Sequence, residues 1–340
     1  MELNEVKEYI EKNLKGFLPD EYKDYDIAFK KTFKTNREVL AFTLVNPTER
    51  NQAAPTMYVD DVLSAYNDGL SLDEALENRA KVIVDSMGKR PADLVTSVMN
   101  LEHLTANVVL TVINAKENEE MLKGCPHRNF EDLAVTYSWV LKSDKEGLYT
   151  NRITNELCEK YGIDEEFLFE HAKENTLRIM PFRVRNITEV IGNLVFGEKI
   201  DTDKELKEEF NDFMEDIPEE RSMYVVTNKL NMFGSNALLY PEEFADLATR
   251  FDCDLYIIPS STHELIAVPS KFGDAETLAE MVYEVNMNEV ELGERLSNEV
   301  YFYDRAKREI YRATDVPNKS LSAVAAEKTI NYETHKAPVR

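Results

Sequence analysis

Residues 224–268 read YVVTNKLNMFGSNALLYPEEFADLATRFDCDLYIIPSSTHELIAV, and this stretch decides the fold. Tyr224-Val225-Val226-Thr227 is a run of β-branched and aromatic residues with strand character. The loop through Gly234 turns the chain, and Ala237 to Leu239 is expected to return as a second strand. Pro241 stands where a helix begins, because a first turn does not need its missing amide hydrogen, and Glu242 and Glu243 complement that end of the helix dipole. Phe244, Leu247, Ala248 and Phe251 recur at helical spacing and mark its buried face. Asp254 to Ile258 and Glu264 to Val268 then form a strand pair joined by Pro259-Ser260-Ser261-Thr262. The result is a β-β-α-β-β unit.

Downstream, Glu276 to Asn288 forms a helix through Leu278, Met281, Val282 and Val285, and Val300 to Tyr303 with Glu309 to Arg312 suggests a terminal hairpin. Beyond residue 314 apolar residues thin out, and a flexible tail is expected over 315–340. Upstream, Val6, Ile10 and Leu14 make the first helix amphipathic, and Ile27 to Phe33 with Val39 to Val45 reads as a hairpin. A helix from Tyr58 to Asn67 breaks at Asp68-Gly69, and Ser71 caps the next. Val108 to Ile113 is a β-branched strand, Lys116 to Lys123 a short helix, and Leu133 to Leu141 returns through Leu148 to Ile153. Helices follow at Asn155 to Tyr161, at Glu165 to Arg178 behind Asp164, and at Ile187 to Val195. Asp201 to Arg221 holds ten acids and three bases and marks the expected boundary.

The expected class is therefore α+β, with antiparallel sheets flanked by helices in two subdomains. The first spans 1–195, an acidic helical connector spans 196–221, and a β-β-α-β-β-α-β-β subdomain spans 222–314.

Forty basic against sixty-four acidic residues leave a formal charge of −24. Such a surface repels phosphate, so neither nucleic acid nor an anionic membrane is an expected partner. The first ten residues carry Glu2, Glu5 and Glu8 where a secretory signal needs a basic start, and no apolar run approaches the ~20 residues of a membrane span. Cys125, Cys158 and Cys253 are widely and irregularly spaced, which suits reduced thiols in a cytoplasm. Gly-rich nucleotide loops, a Gly-x-Ser-x-Gly turn and a calcium loop are all absent. His263-Glu264 begins like a zincin helix, but Ala267 stands where the second histidine belongs, so neither a metal nor a cofactor is expected.

Chemistry concentrates at Ser260, Ser261, His263 and Glu264. An imidazole can take a serine proton while a carboxylate, Glu264 or Asp254, orients the ring. Along a strand, however, His263 and Glu264 point to opposite faces, and the competing reading is a turn whose hydroxyls bond their own backbone. Cys125-Pro126-His127-Arg128 places a thiol near two cations, or simply forms a loop. His171 and Asn175 share a helix face with Leu168 and Ala172, where they are expected to look inward and bond nearby backbone, or else to line a pocket; with Asn228 and Lys229 they are the candidate ligand-binding residues.

Many of these words occur in one order: Pro55-Thr56-Met57-Tyr58, Asn114 to Asn118, Pro126-His127-Arg128, Asp132-Leu133-Ala134, Asn175-Thr176, Thr227-Asn228-Lys229, Leu238 to Pro241, Leu255 to Glu264 and Leu296-Ser297. Over residues 25–313 they resemble a bacterial domain-of-unknown-function family. Tyr161-Gly162-Ile163 departs from it, since members often carry Trp before Gly-Ile. The resemblance implies a cytosolic protein of anaerobic bacteria, linked to mobile elements, and implies no activity. The leading expectation is a non-enzymatic protein that binds another protein or a small ligand. The alternatives are a hydrolase or transferase built on Ser260, Ser261 and His263, and an acidic mimic of nucleic acid. Oligomeric state is left open.

Overall fold

The computed structural model describes residues 1–48, 55–88, 100–144, 147–197, 208, 210 and 222–314. The expected connector lies outside the described residues apart from Phe196, Gly197, Glu208 and Phe210, and the tail at 315–340 lies outside them altogether. The chain forms two compact units, 1–99 and 100–340.

In the first unit, α1 (Leu3–Asn13) buries Val6 and Ile10. Strands β1 (Asp26–Lys34) and β2 (Arg37–Val45) form an antiparallel hairpin, with Asn36 in the left-handed conformation at φ 63°. Short polar side chains tolerate that conformation better than most. The two-residue β3 (Met57–Tyr58) adds to β2 and leads into α2 (Val59–Asn67). Gly69, at φ 102°, turns the chain into α3 (Leu72–Gly88). Ser71 and Glu74 close a capping box, with the Glu74 amide donating to the Ser71 hydroxyl at 3.2 Å and the Ser71 amide to the Glu74 carboxylate at 2.9 Å. Ile10, Leu14, Phe42, Leu44, Val62, Leu76 and Ile83 form the core.

The second unit opens with α4 (Leu101–Asn107), β4 (Val108–Asn114) and α5 (Glu119–Leu122). Strand β6 (Leu133–Asp144) pairs antiparallel with β4 on one side, and with β5 (Arg128–Phe130) and β7 (Gly147–Arg152) on the other. Helices α6 (Asn155–Tyr161) and α7 (Glu165–Ile179) follow, the latter capped by Asp164, whose carboxylate accepts the Phe167 amide at 2.9 Å.

A second antiparallel sheet has six strands. Its edge strand β8 (Phe182–Asn186) leads to α8 (Ile187–Phe196), and its other edge is β13 (Glu309–Arg312). Between them lie β9 (Tyr224–Asn228), β11 (Leu265–Pro269), β10 (Leu255–Ile258) and β12 (Tyr301–Asp304), in that order from β8. Helix α9 (Ala245–Phe251) precedes β10, and α10 (Ala275–Asn288) covers one sheet face through Leu278 and Val282. On the other face Val226, Ile257, Ala267, Tyr301 and Tyr303 pack with Leu238 and Phe244, and also with Val112 and Leu133 of the smaller sheet. The fold is α+β with antiparallel sheets. Among the described residues no helix is long and apolar enough to cross a membrane.

Two expectations need correction. Residues 237–239 do not return as a strand: Gly234–Leu239 is a 3-10 helix, so the unit reads β, 3-10 turn, α, β, β. The buried side chains of Ser235 and Asn236 bond out of this segment, to the Thr262 carbonyl at 2.8 Å and the Leu110 carbonyl at 2.6 Å, which a hairpin ladder would not allow. The division of the chain also falls at 99/100 and not in the acidic stretch, because β8 lies before that stretch and pairs with β9 after it.

Strand β4 is an edge in hydrogen-bonding terms, yet all seven of its residues are buried. Side chains satisfy three of its outer backbone groups. The Leu110 amide donates to Thr176 Oγ1 at 2.9 Å, its carbonyl accepts from Asn236 Nδ2, and the Val108 carbonyl accepts from Asn175 Nδ2 at 3.1 Å.

Candidate functional site

The Pro259–Glu264 turn is tied into the loop that follows β9. The His263 carbonyl accepts the Gly234 amide at 3.0 Å and the Thr227 hydroxyl at 2.8 Å. The Thr262 amide donates to the Glu294 carbonyl at 2.8 Å. Ser261 Oγ accepts the His263 backbone amide at 3.0 Å, and Ser260 Oγ lies 3.5 Å from Glu264 Oε1. The His263 ring accepts the Phe233 amide through Nδ1 at 3.3 Å, and its Nε2 lies 3.8 Å from Glu294 Oε1. Among the described residues no hydrogen bond joins either ring nitrogen to a serine hydroxyl. Asp254 sits before β10, where its carboxylate accepts the Arg305 amide at 2.9 Å. Five residues, 255–259, separate it in the chain from Ser260, about 20 Å if fully extended.

The other sequence candidates also hold backbone. Asn228 is fully buried and folds the loop after β9: its Oδ1 accepts the Leu230 amide at 2.9 Å and its Nδ2 donates to the Met232 carbonyl at 2.5 Å. Lys229 is exposed, with its amide on the Pro181 carbonyl at 3.3 Å. Asn175 Nδ2 donates to the Thr105 and Val108 carbonyls. His171 stacks edge-on against Phe167, with ring centroids 4.5 Å apart. The Cys125 thiol is not activated: burial pushes its pKa up, and the neighbouring His127 ring bonds the Cys125 carbonyl at 2.9 Å. All three cysteines are free, and among the described residues no three His, Cys, Asp or Glu side chains converge to hold a metal ion.

A pocket of about 230 Å³ opens where β5, α7 and the 238–241 segment meet. Alternation along β5 brings Arg128 and Phe130 to one face, and four-residue spacing along α7 brings Glu165, Phe169 and Lys173 to one stripe. Leu238 and Pro241 complete the apolar wall, and the Tyr240 hydroxyl fastens this segment to α7 through the Lys173 carbonyl at 2.8 Å. The Arg128 guanidinium lies 3.4 Å over the Phe169 ring. Its Nε and Nη2 grip both Glu165 oxygens at 2.7 Å, and Nη2 also reaches Glu166 at 2.9 Å.

The hydrogen bond to Glu165 holds the Arg128 pKa above its ordinary value. Burial raises the Tyr137 phenol, which donates to Glu165. For Glu165 burial pushes upward, but the bonds from Arg128 and Tyr137 prevail and the pKa falls below the usual carboxylate value. Among the described residues Arg128 Nη1 has no hydrogen bond and Lys173 no ion pair, so one N–H donor and one ammonium group remain at an apolar pocket, the Arg128 charge itself being met by Glu165 and Glu166. The sequence marked Arg128 beside a thiol and Leu238, Pro241 and Glu165 as fold features, but none of them as part of a pocket. The Glu165, Phe169 and Lys173 stripe was the available signal.

A family model matches residues 3–305, nearly the whole chain. The chain belongs to DUF5688, a family of unknown function. Neither the curated proteins nor the solved structures contain a match to it. Any functional reading of this DUF5688 chain therefore rests on its own geometry.

Proposed function

We propose that this DUF5688 chain is a non-enzymatic binding protein, and that the pocket beside Arg128 takes a small apolar ligand bearing a carboxylate. The observation that carries this reading is the pairing of aromatic and aliphatic walls with the free Nη1 of Arg128 and the unpaired Lys173. Small-molecule sites have this composition, with mostly apolar walls and a few fixed polar groups. The volume suits a ligand somewhat larger than benzene, which fits a cavity of about 150 Å³. Glu165 and Glu166 immobilise one side of the guanidinium, so little side-chain freedom is lost when a carboxylate meets the other. A cytoplasmic location belongs to the same reading and is supported by the three unpaired cysteines.

The hydrolase alternative would need a His263 nitrogen directed at a serine; Nδ1 takes the Phe233 amide, and among the described residues no hydrogen bond joins Nε2 to a serine hydroxyl. Isothermal titration of the full chain with phenylacetate and with phenylacetamide tests the proposal. Saturable binding of the acid is expected, at least tenfold tighter than the amide, and weakened about tenfold by Lys173→Ala. Equal binding of acid and amide, or none of either at millimolar concentration, would refute it.

A further inference from the structure

The free edge of β8 carries an inference independent of the pocket. This strand pairs with β9 on one side only, and among the described residues no strand lies on its other side. Its sequence, Phe182-Arg183-Val184-Arg185-Asn186, sets the two arginines on one face and Val184 on the other. Val184 is 39% exposed although its partner Val226 is fully buried. Neither arginine has an ion pair among the described residues. Arg185 Nε is shielded from water and has no hydrogen-bond partner among the described residues. Helix α8, which follows directly and packs on β8, leaves Leu194 80% and Val195 65% exposed.

We infer that the β8 edge binds an acidic, extended segment of a partner protein by strand addition. Main-chain bonds to an open sheet edge supply affinity in this mode, and alternate side chains supply specificity. The charge argument selects the partner. On a chain of net charge −24 this edge carries two arginines that have no ion pair among the described residues. A second copy is disfavoured: antiparallel pairing centred on Val184 sets Arg183 opposite the copy's Arg185 on the same face, and like charges directly opposite repel. Arginine at an edge discourages such self-pairing. That role leaves the Arg185 Nε donor without a partner, and the side chain must turn outward for this donor to meet an acceptor. A segment alternating acidic and apolar residues meets both arginines with its carboxylates and Val184 with its apolar side, and its flanking apolar residues find Leu194 and Val195.

The test uses the full chain and a fluorescein-labelled peptide, acetyl-(Glu-Val)3-amide, followed by anisotropy at low salt. Saturable binding is expected, and the Arg183→Glu/Arg185→Glu double variant should weaken it at least tenfold while keeping the wild-type melting temperature. A peptide N-methylated at alternate residues, with its charges intact, should lose binding to a similar degree. If the double variant does not fold, Leu194→Glu replaces it, with at least a threefold loss expected. Absence of binding, equal binding of the N-methylated peptide, or equal binding by the folded variant would overturn the inference. So would a wild-type dimer in sedimentation that the double variant dissolves, since the edge would then serve self-association.

Discussion

Gly234 has no side chain because the chain passes too close there for one. A Cβ at this position would lie 2.2 Å from the His263 carbonyl oxygen and 2.6 Å from Thr227 Oγ1, so the loop after β9 and the Pro259–Glu264 turn could not both stay in place. Gly234→Ala should therefore cost about 2–3 kcal/mol in urea unfolding, whereas Gly16→Ala, with open space around it, should change little. Glu165 makes a pH-dependent contribution. Its folded pKa lies below the ordinary carboxylate value, so its share of stability is present above that value and is lost as pH falls through the lowered one. The melting-temperature gap between wild type and Glu165→Gln should be widest near neutral pH and should close under acid. At this scale the sequence was readable where a residue acts on its near neighbours, as Ser71 does on Glu74 and Asp164 on Phe167. It named Arg128 and Asn175 but not their partners: the carboxylates of Arg128 stand 37 and 38 positions away, and the carbonyls that Asn175 satisfies about 70 residues back.

Among the elements, α7 does the most to position the pocket, since one helix supplies Glu165, Phe169 and Lys173 and also covers β4. Its start depends on Asp164, and Asp164→Ala should lower stability by about 1 kcal/mol, with Asp164→Asn recovering most of the loss. Chemical denaturation of the three proteins provides the comparison. Long periodic helices and β-branched strands were legible because a single face decides them. Strand β8 was not, because an edge strand with arginines at alternate positions lacks the apolar alternation by which strands are recognised. The 234–239 segment misled for the opposite reason. Ala237-Leu238-Leu239 looks like a short buried strand, and such a run has no period of its own to separate it from a tight helical turn.

At the scale of the molecule, each unit has its own core: Leu76 belongs to one and Ile257 to the other, and both are fully buried. Calorimetry should resolve two transitions. Leu76→Ala should lower one of them and Ile257→Ala the other, each by about 2–5 kcal/mol at its own unit. Composition pointed to two domains but placed the border at the densest charge, and charge marks exposure more faithfully than it marks borders. The buried edge of β4 has a consequence for how this chain must be born. Val108-Val109-Leu110-Thr111-Val112-Ile113 is uncharged, free of Pro and Gly and rich in β-branched residues, the composition of segments that seed amyloid. Its guards, Asn175, Thr176 and Asn236, are made 65 or more residues later than Leu110, the last of them 126 later. At ribosomal speed that interval is on the order of ten seconds, during which the nascent chain offers an open template to its neighbours. Proteostasis in the host cell, more than the folded state, then sets how much of this protein survives synthesis.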